Sequence, residues 1–318
     1  KDYPENQKKI TKFLVKFLSV FKFFDKSITI FCQNFVYSYI YDLFEAAKIM
    51  NINCIVYMKE TVSPPGHQNF IVKNFYIRTK FNGSKILFYS KEQKHFYLGV
   101  EGIRGNCEHI GSAKSDEILK KYSEKKQTKY EAGLFFSSAQ DKMNGIPEEI
   151  SQRLDILNKV EQFHINFIKV ANKLYDKKFL IKMKKDQHKY QYLQPLLKKY
   201  DTKLGPNISL KSETDNAQLL ISKSKKIFVF HSTIISEAIL MNKNVIEPKF
   251  EPINDLEKSY LFTGNFEYAT IKVDNANEIE RVINLESLNT DTRHKNELIN
   301  YYLGPCDGKV FDRFISHL

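Results

Sequence analysis

Three loops of the sequence carry side chains suited to chemistry on an anionic small molecule. Lys59-Glu60 directly follows the apolar run Asn53–Met58 and precedes the turn-rich Ser63-Pro64-Pro65-Gly66-His67. Gly111-Ser112-Ala113-Lys114-Ser115-Asp116 directly follows Glu108–Ile110. His231-Ser232-Thr233 follows Ile227–Phe230, with Glu237 one helical turn further on. Glu60 and Asp116, each set just past a strand, have the chemistry for proton transfer or nucleophilic attack. Ser232 and Thr233 open a helix whose N-terminal amides suit a phosphate. Their hydroxyls can donate to phosphate or sugar oxygens. Glu237 lies on the same helix face and can accept hydrogen bonds from a ribose diol.

Each of these residues also has a plainer use. Asp116 can cap the helix around Ile118, and Glu60 can pair with one of many lysines. Ser232 and Thr233 are favoured helix caps in their own right. His231 can be a satisfied strand-end histidine, and His67 an exposed loop residue rather than an acceptor contact. Other chemistries lack their residues altogether. The sequence contains no H-x-x-x-H, no Asp-x-Asp, no P-loop and no G-x-G-x-x-G. Cys32, Cys54, Cys107 and Cys306 are scattered without C-x-x-C spacing. No metal, no cofactor and no disulfide framework is expected, and a reducing cytoplasm is the simplest compartment.

The loops need a scaffold, and the pattern around them alternates strand and helix. Strands are expected at Ser27–Cys32, Asn53–Met58, Lys85–Tyr89 and Glu108–Ile110, with helical spacing at Tyr39–Met50 and up to Leu98. The stretch 118–131 is charged and reads as a surface helix or linker. The rhythm then restarts, with strands at Gly133–Phe136, Lys178–Met183, Ile227–Phe230, Asn244–Ile246 and Tyr268–Val273. Helices are expected at Ile150–Leu174, Ser232–Met241, 275–284, 291–302 and 309–318. Such alternation implies parallel sheets covered by helices. Ligands of open parallel sheets bind beyond the carboxyl ends of the strands, where all three loops lie.

The 318 residues suit two domains, and 42% apolar with 27% charged residues is ordinary for a folded globular chain. The net charge is +12, but only six of the 49 basic residues are Arg. Nucleic-acid readers lean on Arg, so nucleic acid is not an expected partner. Anionic partners such as sugar nucleotides or acidic lipids remain favoured. Residues 10–24 place apolar side chains at 10, 13, 14, 17, 18, 21 and 24, with Lys12, Lys16 and Lys22 off that stripe. This helix either covers a sheet or lies on an anionic membrane. No uncharged apolar run is long enough to span a bilayer, and no signal-peptide pattern opens the chain. The first residue is Lys rather than Met, which reads as a trimmed or excised chain.

The ordered set of loops resembles bacterial surface-polysaccharide glycosyltransferases of the GT-B fold. The segment FVFHSTIISEAILMNKNVIEPKF is similar to their nucleotide-sugar-binding region. The ending Gly304-Pro305-Cys306-Asp307-Gly308-Lys309 is similar to their closing Gly-x-x-Asp-Gly-Lys helix. Within that group, Glu60 with Asp116 most resembles the retaining β-Kdo transferases. The resemblance implies Asp116 as nucleophile, Glu60 as proton carrier, and donor contacts from Gly111, Ser112, Lys182, Lys184, His231, Ser232, Thr233 and Glu237. Retention requires two displacements, which two carboxylates can share. Relatives that use CMP-sugars carry Lys-x-His-Pro where this chain reads Lys182-Met183-Lys184-Lys185. Lys184 can replace the His as a cationic phosphate ligand but not as an imidazole donor.

The expectation is therefore an α/β protein of GT-B type, two doubly wound Rossmann-like domains facing a central cleft. An acceptor-side domain would span residues 1–135 and a donor-side domain residues 136–318, with the last helix packing back on the first. The expected activity is metal-independent transfer of a sugar, such as Kdo from CMP-Kdo, to a glycan or lipid-linked glycan acceptor. It would take place in the cytoplasm, at the inner face of the bacterial membrane. A UDP- or GDP-sugar donor, another nucleotide-activated group, or a non-catalytic basic binding module are the alternatives.

Overall fold

The computed structural model describes residues 3–35, 38–72, 81, 83–100, 103, 106–122, 128–136, 146–184, 192–212 and 214–318. The chain divides into two compact units. The first comprises Lys1–Ser63, Gln68–Ala113 and Asn300–Leu318, and the second Pro64–His67 with Lys114–Ile299. From the N-terminus the elements are α1 (Tyr3–Phe24), β1 (Thr29–Cys32), α2 (Ser38–Ile49), β2 (Asn53–Tyr57), α3 (Pro65–Ile71), β3 (Lys85–Phe88), α4 (Lys91–Leu98), β4 (Asn106–His109) and α5 (Ala113–Tyr122). There follow β5 (Tyr130–Phe135), α6 (Glu148–Arg153), α7 (Ile156–Lys173), β6 (Phe179–Lys182), α8 (Leu193–Lys199), β7 (Ile208–Lys211) and α9 (Ala217–Ser222). The chain closes with β8 (Ser224–Val229), α10 (Ile234–Leu240), β9 (Asn244–Pro248), α11 (Asp255–Tyr260), β10 (Ile271–Val273), α12 (Ala276–Asn284), α13 (Thr292–Leu303) and α14 (Val310–Ile315).

In the first unit four parallel strands run in the order β1-β2-β3-β4. Right-handed crossovers that step always in one direction place their helices on one face of the sheet. On that face Cys54, Val56, Ile86, Phe88 and Cys107 pack with Phe44, Ala47 and Tyr97. Alternation along the strands turns Ile55, Leu87 and Ile110 to the opposite face. There Val310 and Phe314 of α14 cover them. The return of the last helix follows from this geometry, because a parallel sheet needs both faces covered.

In the second unit six parallel strands take the order β10-β9-β8-β5-β6-β7. Gly133 of β5 lies between Ile227 of β8 and Leu180 of β6. The sheet grows outward from β5 in one direction, then reverses at β8. Phe163 and Phe167 of α7, Leu193 of α8, and Ile279 and Val282 of α12 pack on Leu134, Ile181 and Phe228. α9 and α10 pack on β8 and β9.

Several expectations need correction. β5 is a central strand of the six-stranded sheet, so the division falls at Ala113/Lys114 rather than at residue 135. The expected helix 150–174 is two helices, broken where Asp155 takes a left-handed φ of 49°. The strand expected at Tyr268–Val273 begins only at Ile271, because Gly264–Ala269 coils into a 3₁₀ turn. α8, β7 and α9 have no counterpart among the expected elements. α1 packs chiefly on α2. Among the described residues no helix is long and apolar enough to cross a membrane.

Candidate functional site

Ligands of a doubly wound sheet bind where the strand order reverses, outside the carboxyl ends of the two central strands. In the second unit that point lies between β5 and β8. His231, Ser232 and Thr233 follow β8 there, between its last residue and the first of α10. His231 takes a left-handed φ of 45°, rare for a residue with a side chain, which turns the chain sharply from strand into helix. Thr233 is exposed and makes no side-chain cap hydrogen bond, although it occupies the cap position of α10. Ser232 is half-buried, and its hydroxyl accepts only a long bond of 3.4 Å from the Ile234 amide. Ordinary capping therefore uses little of this hydroxyl pair.

The other donor-side residues divide by environment. Glu237 is buried and both carboxylate oxygens are engaged. Lys114 donates to Oε1 at 2.5 Å and Gln218 to Oε2 at 2.6 Å. These contacts, the first of them charge-assisted, fix the carboxylate beside the start of α10. Lys182 is buried and its ammonium donates to the carbonyls of Met183 at 3.0 Å and Ser212 at 2.7 Å, joining the ends of β6 and β7. Lys184 stands exposed, and its charge reaches His231. Burial first, then His67 and Lys184, push the His231 imidazole down to about 3. His67, in the short segment grouped with the second unit, lies with its ring 5.0 Å from that of His231. Burial pushes it down to about 4. Both rings are therefore neutral at pH 7. Among the described residues, His67 Nε2 and His231 Nδ1 have no hydrogen-bond partner.

The remaining residues singled out in the sequence follow strands of the first unit's sheet. Glu60 is exposed, with Lys59 3.6 Å from its carboxylate. Its backbone is pinned: Gln93, fully buried, donates to the Glu60 carbonyl at 2.6 Å, and Tyr89 donates to the Lys59 carbonyl at 2.8 Å. The result is a solvent-facing carboxylate on a fixed loop. Asp116 is half-buried in the first turn of α5. The helix begins at Ala113, so Asp116 lies inside it and is not its cap. A carboxylate there complements the helix dipole. Asp116 belongs to the second unit and Glu60 to the first.

Gly111 and Ser112 have a clear structural use. Gly111 has φ +97°, and a Cβ there would lie 2.6 Å from the Pro305 carbonyl oxygen. The Ser112 amide donates to the Leu303 carbonyl at 2.9 Å. Arg313 donates to the Ile110 carbonyl at 2.7 Å and holds Asp307 through two bonds of 2.9 Å. That guanidinium holds the Asp307 carboxyl down at about 2. The Gly-x-x-Asp-Gly-Lys segment is thus the clasp that fastens α14 to the loop after β4. Sequence reasoning misses the pairing of Lys114 with Glu237, along with Gln218 and Arg313. No local pattern marks the first of these, since Lys114 and Glu237 stand 123 residues apart.

Two parallel-sheet, Rossmann-like units make up a fold of GT-B type. Solved structures align along nearly the whole chain. The UDP-GlcNAc 2-epimerase from Methanocaldococcus jannaschii is 14% identical with a TM-score of 0.57, over 99% of this chain and 83% of its own. The S. aureus MnaA–UDP co-structure is 13% identical with a TM-score of 0.51, over 99% of this chain and 80% of its own. No family model and no curated protein sequence matches the chain. At these identities the likeness is one of fold.

Proposed function

We propose that the protein is a GT-B glycosyltransferase that holds a nucleotide sugar at the carboxyl edge of the second unit's sheet. The observation that carries this reading is the reversal of strand order between β5 and β8, with the Ser232 and Thr233 hydroxyls directly past β8. The diphosphate or phosphate of the donor would meet these hydroxyls and the first amides of α10, with Lys184 adding charge. Glu237, already fixed by Lys114 and Gln218, retains lone pairs for a ribose hydroxyl.

In the proposed reaction the Asp116 carboxylate attacks the anomeric carbon, and the bond to the nucleotide phosphate breaks with its electron pair on the departing nucleotide. An acceptor hydroxyl then loses its proton to Glu60 and displaces Asp116. Kdo from CMP-Kdo is the donor that the sequence resemblance supports, with a surface glycan as acceptor. A uridine nucleotide is favoured by the solved structures of like fold, one named as a UDP complex and one as a UDP-GlcNAc 2-epimerase. Those names also support a second reading, epimerisation of a UDP-sugar without an acceptor.

A thermal-shift screen of CMP, UDP and GDP tests the binding site. One nucleotide should raise the Tm by mass action. Ser232→Ala and Thr233→Val should each weaken that nucleotide by about 1.5–3 kcal/mol, the worth of a hydrogen bond to a charged group. Unchanged affinity in both variants would return the pair to a purely local role. Incubation with UDP-GlcNAc alone, followed by NMR of the sugar, separates epimerase from transferase.

A further inference from the structure

Helix α1 has two apolar faces, and only one is used in folding. Leu18 is buried, with Leu14 and Val15 beside it, against the core containing Phe44 and Ala47. The other face is open to solvent: Ile10, Phe13, Phe17, Val20, Phe21 and Phe24 are 45–80% exposed. Phe13, Phe17 and Phe21 recur every fourth residue and form a ladder, with ring centroids 6.3 and 4.8 Å apart. Single exposed apolar residues are common, but a contiguous aromatic stripe marks an interaction surface. The stripe read from the sequence as one face is thus divided, two of its members inward and the rest outward.

Charge identifies the partner. From Lys8 to Phe24 the helix has five Lys and no Asp or Glu. Lys22 is drawn inward, donating to the carbonyls of Met50 and Asn51. Lys8, Lys9, Lys12 and Lys16 are exposed. At about 100° per residue Lys9, Lys12 and Lys16 wind along one flank of the Phe stripe, the side away from Leu14 and Leu18. A second copy packed antiparallel on this face would bring the two lysine rows to the same side, which like-charge repulsion opposes.

We propose that this face of α1 lies in the headgroup layer of an anionic bilayer. The Phe rings would enter the acyl boundary while the lysines reach anionic headgroups. Neither signal is strong alone, and their combination on one helix is what gives stable peripheral attachment. The proposal does not rest on the enzymatic reading.

The chain contains no Trp, so Phe17→Trp supplies a single reporter at the centre of the stripe. Vesicles of equimolar phosphatidylcholine and phosphatidylglycerol should shift its emission to the blue, and brominated lipids should quench it. Phosphatidylcholine alone should bind about tenfold less. Phe13→Ser/Phe17→Ser/Phe21→Ser should reduce flotation with the anionic vesicles about tenfold or more, with an unchanged far-UV spectrum. Lys12→Glu/Lys16→Glu, which keeps the aromatic ladder, should remove the preference for phosphatidylglycerol. Absence of a blue shift and of flotation with anionic vesicles would overturn the proposal. So would a lipid-independent dimer, seen in sedimentation and abolished by the Phe substitutions, which assigns the face to a second copy.

Discussion

The sheet of the first unit runs β1-β2-β3-β4 without reversing, whereas that of the second reverses beside β5. In the second, helices leave the central strands toward opposite faces, and the loops after them diverge to leave room for a ligand. In the first, one face remains to be covered, and the C-terminal return covers it through Val310, Phe314 and the Arg313–Asp307 clasp. The glycine-serine loop after β4 is therefore shaped by packing, while the His-Ser-Thr loop after β8 stands at the strand-order reversal with its Thr233 hydroxyl unused as a cap. Loops that look alike in sequence, each a turn of small and polar residues past a strand, have different surroundings because their sheets differ in strand order.

The largest expected effect tests whether chemistry can be separated from nucleotide binding. Asp116→Asn should lower sugar transfer by about a thousandfold or more, while calorimetry finds nucleotide affinity unchanged. A folded, fully active Asp116→Ala protein would end the nucleophile role and leave Asp116 to the first turn of α5.

The packing role of the loop after β4 is tested by a glycine pair. Gly111 and Gly308 both have left-handed φ, +97° and +76°, but only Gly111 is closely surrounded. Gly111→Ala should destabilise the first unit by about 3 kcal/mol, from strain plus the clash with Pro305. Gly308→Ala, with open space around it, should cost only about 1 kcal/mol. Urea denaturation followed by circular dichroism reads both, and equal costs would break the distinction.

The smallest effect is a difference in acid response. Burial pushes His164 and His231 down to about 3 and His67 to about 4, all in the second unit. Their unfolded rings accept protons near pH 6.5, whereas the folded rings resist. Stability from this source is complete above pH 6.5 and falls as pH drops toward 4, by about 1–2 kcal/mol per ring at pH 5. In the first unit the Arg313 clasp holds Asp307 near 2, so its contribution persists above the usual carboxylate range and is lost only as pH falls toward 2. Hydrogen exchange at pH 7 and pH 5 should therefore show the second unit loosening first. Uniform loosening would contradict this ordering.

The central strands are legible because runs such as Asn53–Tyr57 and Ile227–Val229 are apolar on both faces, as parallel strands must be. The edge strand β7 is not, since Ile208–Lys211 mixes polar and charged side chains where only one neighbour and little covering are present. The break at Asp155 is hidden because apolar spacing continues across it, and a single left-handed residue leaves no periodic trace. At the candidate site, the strand–turn–helix around Ser232 can be read locally. The burial of Lys182 under the Met183 and Ser212 carbonyls cannot, because it depends on how β6 and β7 end together.

The clasp that fastens α14 also has a consequence for synthesis on the ribosome. The second unit is nearly contiguous, from Lys114 to Ile299, and can gather its core as soon as that stretch has emerged. The first unit is made earlier yet stays half-covered until Val310 and Phe314 leave the exit tunnel. Until then, Ile55, Leu87 and Ile110 lack the cover of α14. A chain stalled just short of Val310 would therefore present a folded second unit tethered to an apolar surface that chaperones recognise, and emergence of α14 would be the step that hides it.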